Sequence, residues 1–294
     1  MTPDDAIRMV QVVRDLHEET ARLLNSYGYQ PTANSQAELE LQSFPRQESV
    51  KTAYSQGTSL IEVVADQTIA FTKTATEPVQ TVAPWTCVRA LLEASALACW
   101  LLDPKTDVRA RIQRSLAFRY EGLSQQVKFG RALRANADVA KVLARIDSVE
   151  RVALGLGFSK VENHKGERTG IGQQMPNTTE IIRDMLDEEA NYRLLSAAAH
   201  AHHWALQQMS FRSVDEQDAS SENVGDKDDG RFLEKNIEPL TVAFLCALAG
   251  KYFAKPIKLK CSLFGWNPRP LEDILDVAFG RLGIRRESKL WHNQ

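Results

Sequence analysis

Apolar residues recur every three or four positions along most of the chain, which is the spacing of an amphipathic helix. Residues 4–26 show this clearly, with Ile7, Val10 and Val13 on one face. Gly and Pro residues lie between such stretches, where they end one helix or begin the next. The stretches predicted to be helical are 4–26, 47–74, 84–102, 107–135, 137–153, 177–209, 231–253 and 271–282. The pattern therefore predicts an all-α fold, a multi-helix bundle.

Two of these helices combine apolar surroundings with a polar stripe. The stretch 84–102 is apolar nearly all round, which is typical of a helix buried in a bundle, yet it carries Arg89 and Glu93 on one face. The stretch 189–207 also gives one broad face to polar residues. Because a buried charge needs a partner, we expect these helices to form a central buried antiparallel pair. The polar cluster predicted between them contains Arg89, Glu93, Tyr192, Ser196 and His200.

The predicted helices fall into a central core and two flanking regions. The core covers 84–209, between an N-terminal helical region over 1–83 and a C-terminal helical region over 231–294. Residues 210–230 are expected to form a disordered acidic loop, because they contain almost nothing to bury. Residues 155–176 hold five of the 15 glycines and are expected to form a flexible loop over the polar cluster.

The uneven distribution of charge along the chain changes what the net charge implies about nucleic-acid binding. The 294 residues include 36 basic and 38 acidic residues, a net charge of -2, which argues against a generally basic nucleic-acid binder. Residues 213–230, however, contain seven acids and one Lys, so this segment carries -6 and the remainder +4. The segment 105–134 carries +6, which fits either a solvated helix face or a phosphate-facing surface. The arginines expected to contact nucleic acid are Arg109, Arg111, Arg114 and Arg119.

Cysteine usage and hydropathy indicate a cytoplasmic protein. The four cysteines stand alone without CxxC spacing, so neither a zinc ribbon nor a dithiol redox motif is encoded. Cys87 and Cys99 are expected to be buried thiols. The most apolar runs, 88–102 and 239–250, are shorter than the roughly 20 residues that span a bilayer, and the N-terminus lacks a signal-peptide core. We expect no membrane segment and no cofactor.

The polar cluster contains residue types that suit chemistry on phosphates. Histidine changes charge near neutral pH and transfers protons, and arginine binds a phosphate through two parallel hydrogen bonds. An Arg and a His on one helix face are sufficient for metal-free RNA cleavage, in which His moves protons and Arg holds the scissile phosphate. The same residue types also build a hydrogen-bonded network that only fixes how two helices pack, and this structural alternative stays open.

One segment of the chain resembles a known family. RLLSAAAH, from Arg193 to His200, resembles the Arg–six residues–His motif of HEPN helical domains. The wider pattern RALLEA at 89–94, MPNTTE at 175–180 and YRLLSAAAHAHHWAL at 192–206 is also similar to bacterial helical proteins with a HEPN-like appearance. Many HEPN domains are metal-independent ribonucleases of toxin–antitoxin, phage-defence and RNA-processing systems, and they typically act as dimers. The resemblance implies that Arg193 and His200 are a catalytic pair, that RNA is the substrate, and that a homodimer and an antitoxin or defence partner exist.

Two other interpretations of the polar cluster remain. One follows from a departure from the HEPN pattern, and the other from the histidines near the cluster. Leu194 occupies a position that is usually polar in active HEPN members, and several HEPN-like domains are non-catalytic scaffolds, so a helical interaction protein is the second interpretation. The third is a metal-dependent helical-bundle enzyme, because His200 and His203 share a face near Glu189 and Glu93. The Glu-x-x-His motif of di-iron bundles does not occur in the sequence.

Overall fold

A computed structural model describes residues 1–209, 211–213, 233–235 and 237–284 of the chain. These residues form eleven helices and five strands of two to four residues, so the predicted all-α multi-helix bundle is confirmed. The acidic loop predicted over 210–230 lies outside the described residues, apart from the three residues of one short strand.

The helices, in chain order, are α1 (Pro3–Ser26), α2 (Gln36–Ser43), α3 (Gln47–Thr74), α4 (Ala83–Leu101), α5 (Val108–Ala132), α6 (Asn136–Gly155), α7 (Thr178–Leu186), α8 (Glu189–Ala199), α9 (His203–Met209), α10 (Pro239–Phe264) and α11 (Arg269–Leu282). The first, third and fourth helices begin and end within about one residue of the predicted bounds. Helix α2 lies in a stretch without a predicted helix, because eight residues with two buried side chains, Ala37 and Glu40, give too short a periodic signal.

The segment 155–176, predicted to be a flexible loop, contains a small antiparallel sheet instead. Its strands are β1 (Lys160–Glu162), β2 (Arg168–Ile171) and β3 (Gln173–Gln174), in the order β1-β2-β3. The sheet packs against α5, where the Tyr120 hydroxyl donates to the Arg168 carbonyl at 2.6 Å and Gln113 Nε2 donates to the Gly172 carbonyl at 2.7 Å. Strands of two to four residues are too short to show alternation in the sequence. A second pair, β4 (Phe211–Ser213) and β5 (Leu233–Lys235), is also antiparallel.

The single helix predicted over 177–209 is divided into α7, α8 and α9. Asn177 and Glu180 form a capping box at the start of α7, which agrees with the cap predicted there. Asp187 adopts a left-handed conformation that ends α7, and Ala201 (φ 54) does the same after α8. Left-handed residues at helix ends are usually Gly or Asn, so Asp and Ala gave no clear stop signal in the sequence.

Helix α4 lies at the centre of the bundle. It packs against α3 and α10 most extensively and also against α7 and α8, which confirms that the stretch around 84–102 is a buried helix. Helix α3 approaches α4 closely at Gly57, where an added Cβ atom would lie 2.6 Å from Leu102 Cγ. Helix α8 buries Leu195, Ala197 and Ala198 and leaves its other side partly exposed.

Helix α10 continues through Pro256, although the sequence predicted an end near 253. Proline has no amide hydrogen, so the carbonyl of Tyr252, four residues earlier, loses its helical partner. The hydroxyl of Ser95 on α4 donates to that carbonyl at 2.8 Å instead. Among the described residues α10 is also the one helix long and apolar enough to cross a membrane, and 67% of its most apolar stretch is buried inside the protein. The core helix of a soluble protein can have the same length and composition.

Candidate functional site

The site is built where the start of α4 meets the end of α8. Arg89 and Glu93 lie one turn apart on α4, and Arg89 Nε donates to Glu93 Oε1 at 3.0 Å. The Nη1 atom of Arg89 lies 3.1 Å from Nε2 of His200, at the end of α8. The structure thus brings together three of the predicted cluster residues, two of them 111 positions apart in the chain.

The Arg89–His200 hydrogen bond requires one particular tautomer of the imidazole. A guanidinium is only a donor, so Nε2 of His200 accepts the hydrogen bond. An imidazole that accepts at Nε2 carries its ring proton on Nδ1. In this arrangement the Nε2 lone pair, which is the part of the ring that can accept a proton, faces the positively charged group that would bind an anion.

Two further predicted residues lie beside this contact. The Arg89 guanidinium carbon lies 5.9 Å from the centroid of the half-buried Tyr192 ring, within the range of a cation–π interaction. Ser196 lies one turn before His200, and its backbone carbonyl accepts from the His200 amide at 3.0 Å. Arg89, Glu93, Tyr192 and His200 are referred to below as the Arg89 cluster.

The Arg89 cluster is open to solvent on one side. His200 is exposed, whereas the side chains of Arg89 and Glu93 keep 21% and 32% of their surface accessible. Partial burial strengthens the Arg89–Glu93 ion pair relative to a fully exposed pair, while the exposed imidazole can still meet a solute. The cluster is therefore both held in place and reachable.

Arg193, the other half of the predicted catalytic pair, has a different environment. Its Nε and Nη2 atoms donate to Glu189 Oε1 at 3.0 and 2.6 Å, and its side chain is 70% exposed. Arg193 and His200 are seven positions apart, with six residues between them, which is about 10 Å along the helix axis. The residue that contacts His200 is thus Arg89, on the neighbouring helix. An exposed ion pair within one helix contributes little energy, so Arg193 can exchange Glu189 for another anion.

The end of α8 separates His200 from the other histidines. His200 follows the last residue of the helix, and the His202 amide donates to the Ala197 carbonyl at 2.9 Å across the left-handed Ala201. His203 begins α9, so the broad polar face predicted over 189–207 is interrupted and does not include it. In the described part of the chain, no group of three or more His, Cys, Asp or Glu is placed to hold a metal ion.

The four arginines expected to face nucleic acid have different environments in the structure. Arg111 is fully buried and donates to both carboxylate oxygens of Glu40 at 2.9 and 3.3 Å, which corrects the expectation that it faces phosphates. Arg114 is half-buried; burial lowers its pKa, and it donates to the Trp100 carbonyl at 2.6 Å. Both side chains thus stabilise the region where α4 is followed by α5.

The other two arginines of this set are exposed. Arg109 donates to the carbonyls of Leu156 and Gly157 at 3.2 and 3.0 Å, and its guanidinium lies 4.4 Å from the centroid of Phe158. These contacts tie the start of α5 to the end of α6. Arg119 is exposed and remains a candidate for contact with nucleic acid.

The thiols of the chain are largely removed from solvent. Cys99, Cys246 and Cys261 are buried, and burial raises the pKa of each to about 12. Cys87 is half-buried, less than the sequence predicted, and burial raises its pKa as well. Thiols with raised pKa values are weak nucleophiles, so the described cysteines are structural.

Comparisons of the chain with known proteins found no relative. No family model matches it, and neither a curated protein nor a solved structure does. Any functional conclusion therefore depends on the residues of the site.

Proposed function

We propose that the protein is a metal-independent ribonuclease whose reacting groups belong to the Arg89 cluster. The observation that carries this proposal is the 3.1 Å contact between Arg89 Nη1 and His200 Nε2 on a solvent-accessible surface. It pairs a proton acceptor with a phosphate-binding group, which are the two functions that cleavage of RNA without a metal needs.

The proposed reaction uses the 2′-hydroxyl of the substrate as nucleophile. A phosphate of the RNA takes the place of His200 as the partner of the Arg89 guanidinium, which frees Nε2. Nε2 then accepts the 2′-hydroxyl proton while the 2′-oxygen attacks phosphorus and the bond to the 5′-oxygen breaks. Water supplies the proton that the departing 5′-oxygen takes up. The products are a 2′,3′-cyclic phosphate and a 5′-hydroxyl, and His200 returns its proton to solvent.

The neighbouring residues assist this reaction without touching the reacting atoms. Glu93 holds the Arg89 guanidinium through Nε, which leaves the two terminal nitrogens free to bind a phosphate. Arg193 is exposed and would bind the next phosphate of the strand after leaving Glu189. The resemblance to HEPN domains supports a setting in a toxin or phage-defence system, with an antitoxin or defence protein as partner and a homodimer as the active form.

The proposal is tested with single-stranded RNA of mixed sequence in the presence of a metal chelator. We expect wild-type protein to produce 2′,3′-cyclic phosphate ends and to leave DNA of the same sequence intact. His200→Ala should lower the cleavage rate by about 100-fold or more, because it removes the proton acceptor. His164→Ala is the matched control, since His164 is an exposed histidine in the β1–β2 turn.

A second candidate function is a non-catalytic helical interaction protein. The ion pair between Arg193 and Glu189 favours it, because both residues are satisfied within one helix. In that case the Arg89 cluster only fixes the packing of α8 on α4. Wild-type protein would then leave RNA uncut, and Arg89→Ala would lower the melting temperature without any effect on RNA. Circular dichroism of each variant separates loss of folding from loss of activity.

A further inference from the structure

The hairpin formed by α5 and α6 extends along the outside of the bundle. Gly130 of α5 packs against Val139 of α6, and Arg145 Nη1 donates to Gln126 Oε1 at 3.3 Å, so the two helices run antiparallel. Helix α6 makes its main helix contacts with α5. We refer to residues 128–134, the end of α5 and the first residues of the following turn, as the hairpin tip.

The hairpin tip exposes two large apolar side chains. Phe129 is 66% exposed and Leu133 is 61% exposed, and they lie four residues apart on one side of the helix. The opposite side holds the buried Val127 and Gly130, where a Cβ atom on Gly130 would lie 2.8 Å from Val139 Cγ2. This tight contact fixes the orientation of α5 and leaves most of the Phe129 side chain in solvent.

Three cations surround the two apolar residues. Lys128, Arg131 and Arg134 are exposed, and in the described part of the chain none of their side chains forms an ion pair. The nearby Asp138 is already paired with Lys141 at 3.1 Å. The hairpin tip therefore presents three uncompensated positive charges around an aromatic ring.

The direction of α5 is given by its contacts with α3. The Arg111 guanidinium carbon lies 5.3 Å from the Tyr54 ring centroid, and further along both helices Ser115 donates to Gln56 Oε1 at 2.6 Å. Residue numbers thus increase in the same direction in the two helices. The end of α5 points toward the same end of the bundle as the end of α3.

The Arg89 cluster lies toward that end as well. Thr74, the last residue of α3, has its hydroxyl 4.0 Å from the Cys87 sulfur, so the end of α3 adjoins the start of α4. Arg89 follows two residues after Cys87 on the same helix. The cluster and the hairpin tip therefore both lie toward the end of the bundle at which α3 ends.

We propose that the hairpin tip binds single-stranded RNA, with Phe129 stacking on an unpaired base and Lys128, Arg131 and Arg134 contacting phosphates. Aromatic rings interspersed with cations are the pattern by which proteins hold single strands. An exposed apolar pair among cations also suits an anionic membrane, but a membrane would accept any bulky apolar side chain, whereas stacking needs the ring. The inference rests on the proposed function and assigns the substrate strand a second contact.

The test measures RNA binding separately from cleavage. A His200→Ala background prevents cleavage, and a fluorescent RNA of about 12 nucleotides reports binding by anisotropy. Phe129→Leu keeps the apolar surface but removes the ring, so we expect the dissociation constant to rise about 10-fold. Leu133→Ala is the matched control at the other exposed apolar residue and should change the constant by less than about 2-fold.

The cations are tested through the salt dependence of binding. The triple variant Lys128→Gln, Arg131→Gln and Arg134→Asn should reduce the slope of log affinity against log salt by about 2, since three phosphate contacts are lost. Asn is chosen at position 134 because that backbone is left-handed (φ 56). The control triple variant Arg22→Gln, Arg269→Gln and Arg281→Gln alters exposed arginines on α1 and α11 and should keep the slope of the parent.

Three results would overturn the inference. The first is an RNA affinity in Phe129→Leu equal to that of the parent. The second is binding of the tip to phosphatidylserine vesicles that Phe129→Leu preserves, which would make the tip a membrane contact. Failure of the proposed function has a different signature, namely RNA that stays uncut by wild-type protein while tip-dependent binding persists. Cleavage that is lost in His200→Ala but unchanged in the hairpin-tip variants would overturn the inference and leave the proposed function in place.

Discussion

The hydroxyl of Ser95 donates to the backbone carbonyl of Tyr252 at 2.8 Å, the carbonyl that Pro256 leaves without an amide partner in its own helix. A buried carbonyl without a hydrogen bond destabilises a protein by about 1–3 kcal/mol. We therefore expect Ser95→Ala to lower the free energy of unfolding by about that amount. Urea denaturation followed by circular dichroism measures the change.

The matched control for this prediction uses a Pro256→Ala background. An alanine at 256 has an amide hydrogen that can reach the Tyr252 carbonyl, so Ser95→Ala should then destabilise by less than about 1 kcal/mol. The two substitutions are thus expected to be non-additive. Equal effects of Ser95→Ala in both backgrounds would show that the hydroxyl matters for another reason.

The buried ion pair between Arg111 and Glu40 provides the second prediction. Arg111 has no exposed side-chain surface, and its partner Glu40 also accepts from the Tyr54 hydroxyl at 2.7 Å. Glu40→Leu leaves the guanidinium buried without a counter-charge and should lower the free energy of unfolding by about 3–5 kcal/mol. Adding Arg111→Met should recover part of that loss, because it removes the unpaired charge but leaves the Leu101, Asp103 and Thr106 carbonyls without their donor. A double variant no more stable than Glu40→Leu would contradict this account. Chemical denaturation compares the three proteins.

The third prediction concerns Gly57, where α3 packs tightly against Leu102 at the end of α4. A Cβ atom at Gly57 would lie 2.6–3.0 Å from three side-chain atoms of Leu102, so Gly57→Ala should destabilise by about 1–3 kcal/mol. Gly122 is the matched control because a Cβ atom there meets nothing within 4 Å. Gly122→Ala should stabilise the exposed helix interior by up to about 1 kcal/mol. Thermal unfolding of both variants shows whether the two effects have opposite signs.

Lys260 provides a prediction that depends on pH. It is buried among the rings of Phe264, Trp266 and Tyr29, at 5.3, 5.3 and 5.8 Å from its Nζ, and burial lowers its pKa from the ordinary 10.5. The folded protein binds this proton less tightly than the unfolded chain, so the destabilisation is complete below the folded-state pKa and disappears as the pH rises toward 10.5. Lys260→Met should therefore raise the free energy of unfolding at neutral pH.

The measurement for Lys260 compares the variant with the wild type across the alkaline range. The comparison is made with Cys261→Ala in both proteins, because Cys261 interacts electrostatically with Lys260 and its pKa is raised by burial. The pKa of Tyr27, which burial also raises, affects both proteins equally. We expect Lys260→Met to be more stable by urea denaturation at pH 7 and the difference to shrink by about pH 9.5. A constant difference across this range would mean that packing, and not the charge, separates the two proteins.

The polar cluster was predictable because it lies on long, strongly periodic helices. Arg89 and Glu93 interrupt an apolar helix, and a buried helix that carries charge needs polar neighbours, which pointed to Tyr192 and His200. The ion pair between Arg193 and Glu189 was not predictable. Glu189 lies one turn before Arg193, and the sequence alone does not show whether Arg193 contacts Glu189 or His200. The break at Ala201 was missed because alanine carries no stop signal.

Arginines that the sequence does not distinguish differ in burial and in their partners in the structure. Arg111 pairs with Glu40, 71 positions away, and this pairing depends on the short helix α2, which the sequence did not reveal. Arg119 lies on the same helix and is exposed. Periodicity places a residue on a helix face, but whether that face meets another helix depends on tertiary contacts between distant parts of the chain.

The burial of the cysteines has a practical consequence for spectroscopy. The four native thiols are protonated at neutral pH, so maleimide reagents would react with them slowly. A cysteine introduced by Lys165→Cys, in the exposed β1–β2 turn, would be the fast-reacting site in the described part of the chain. A fluorophore could then be attached there in the otherwise natural sequence, and energy transfer from labelled RNA would report where the strand lies.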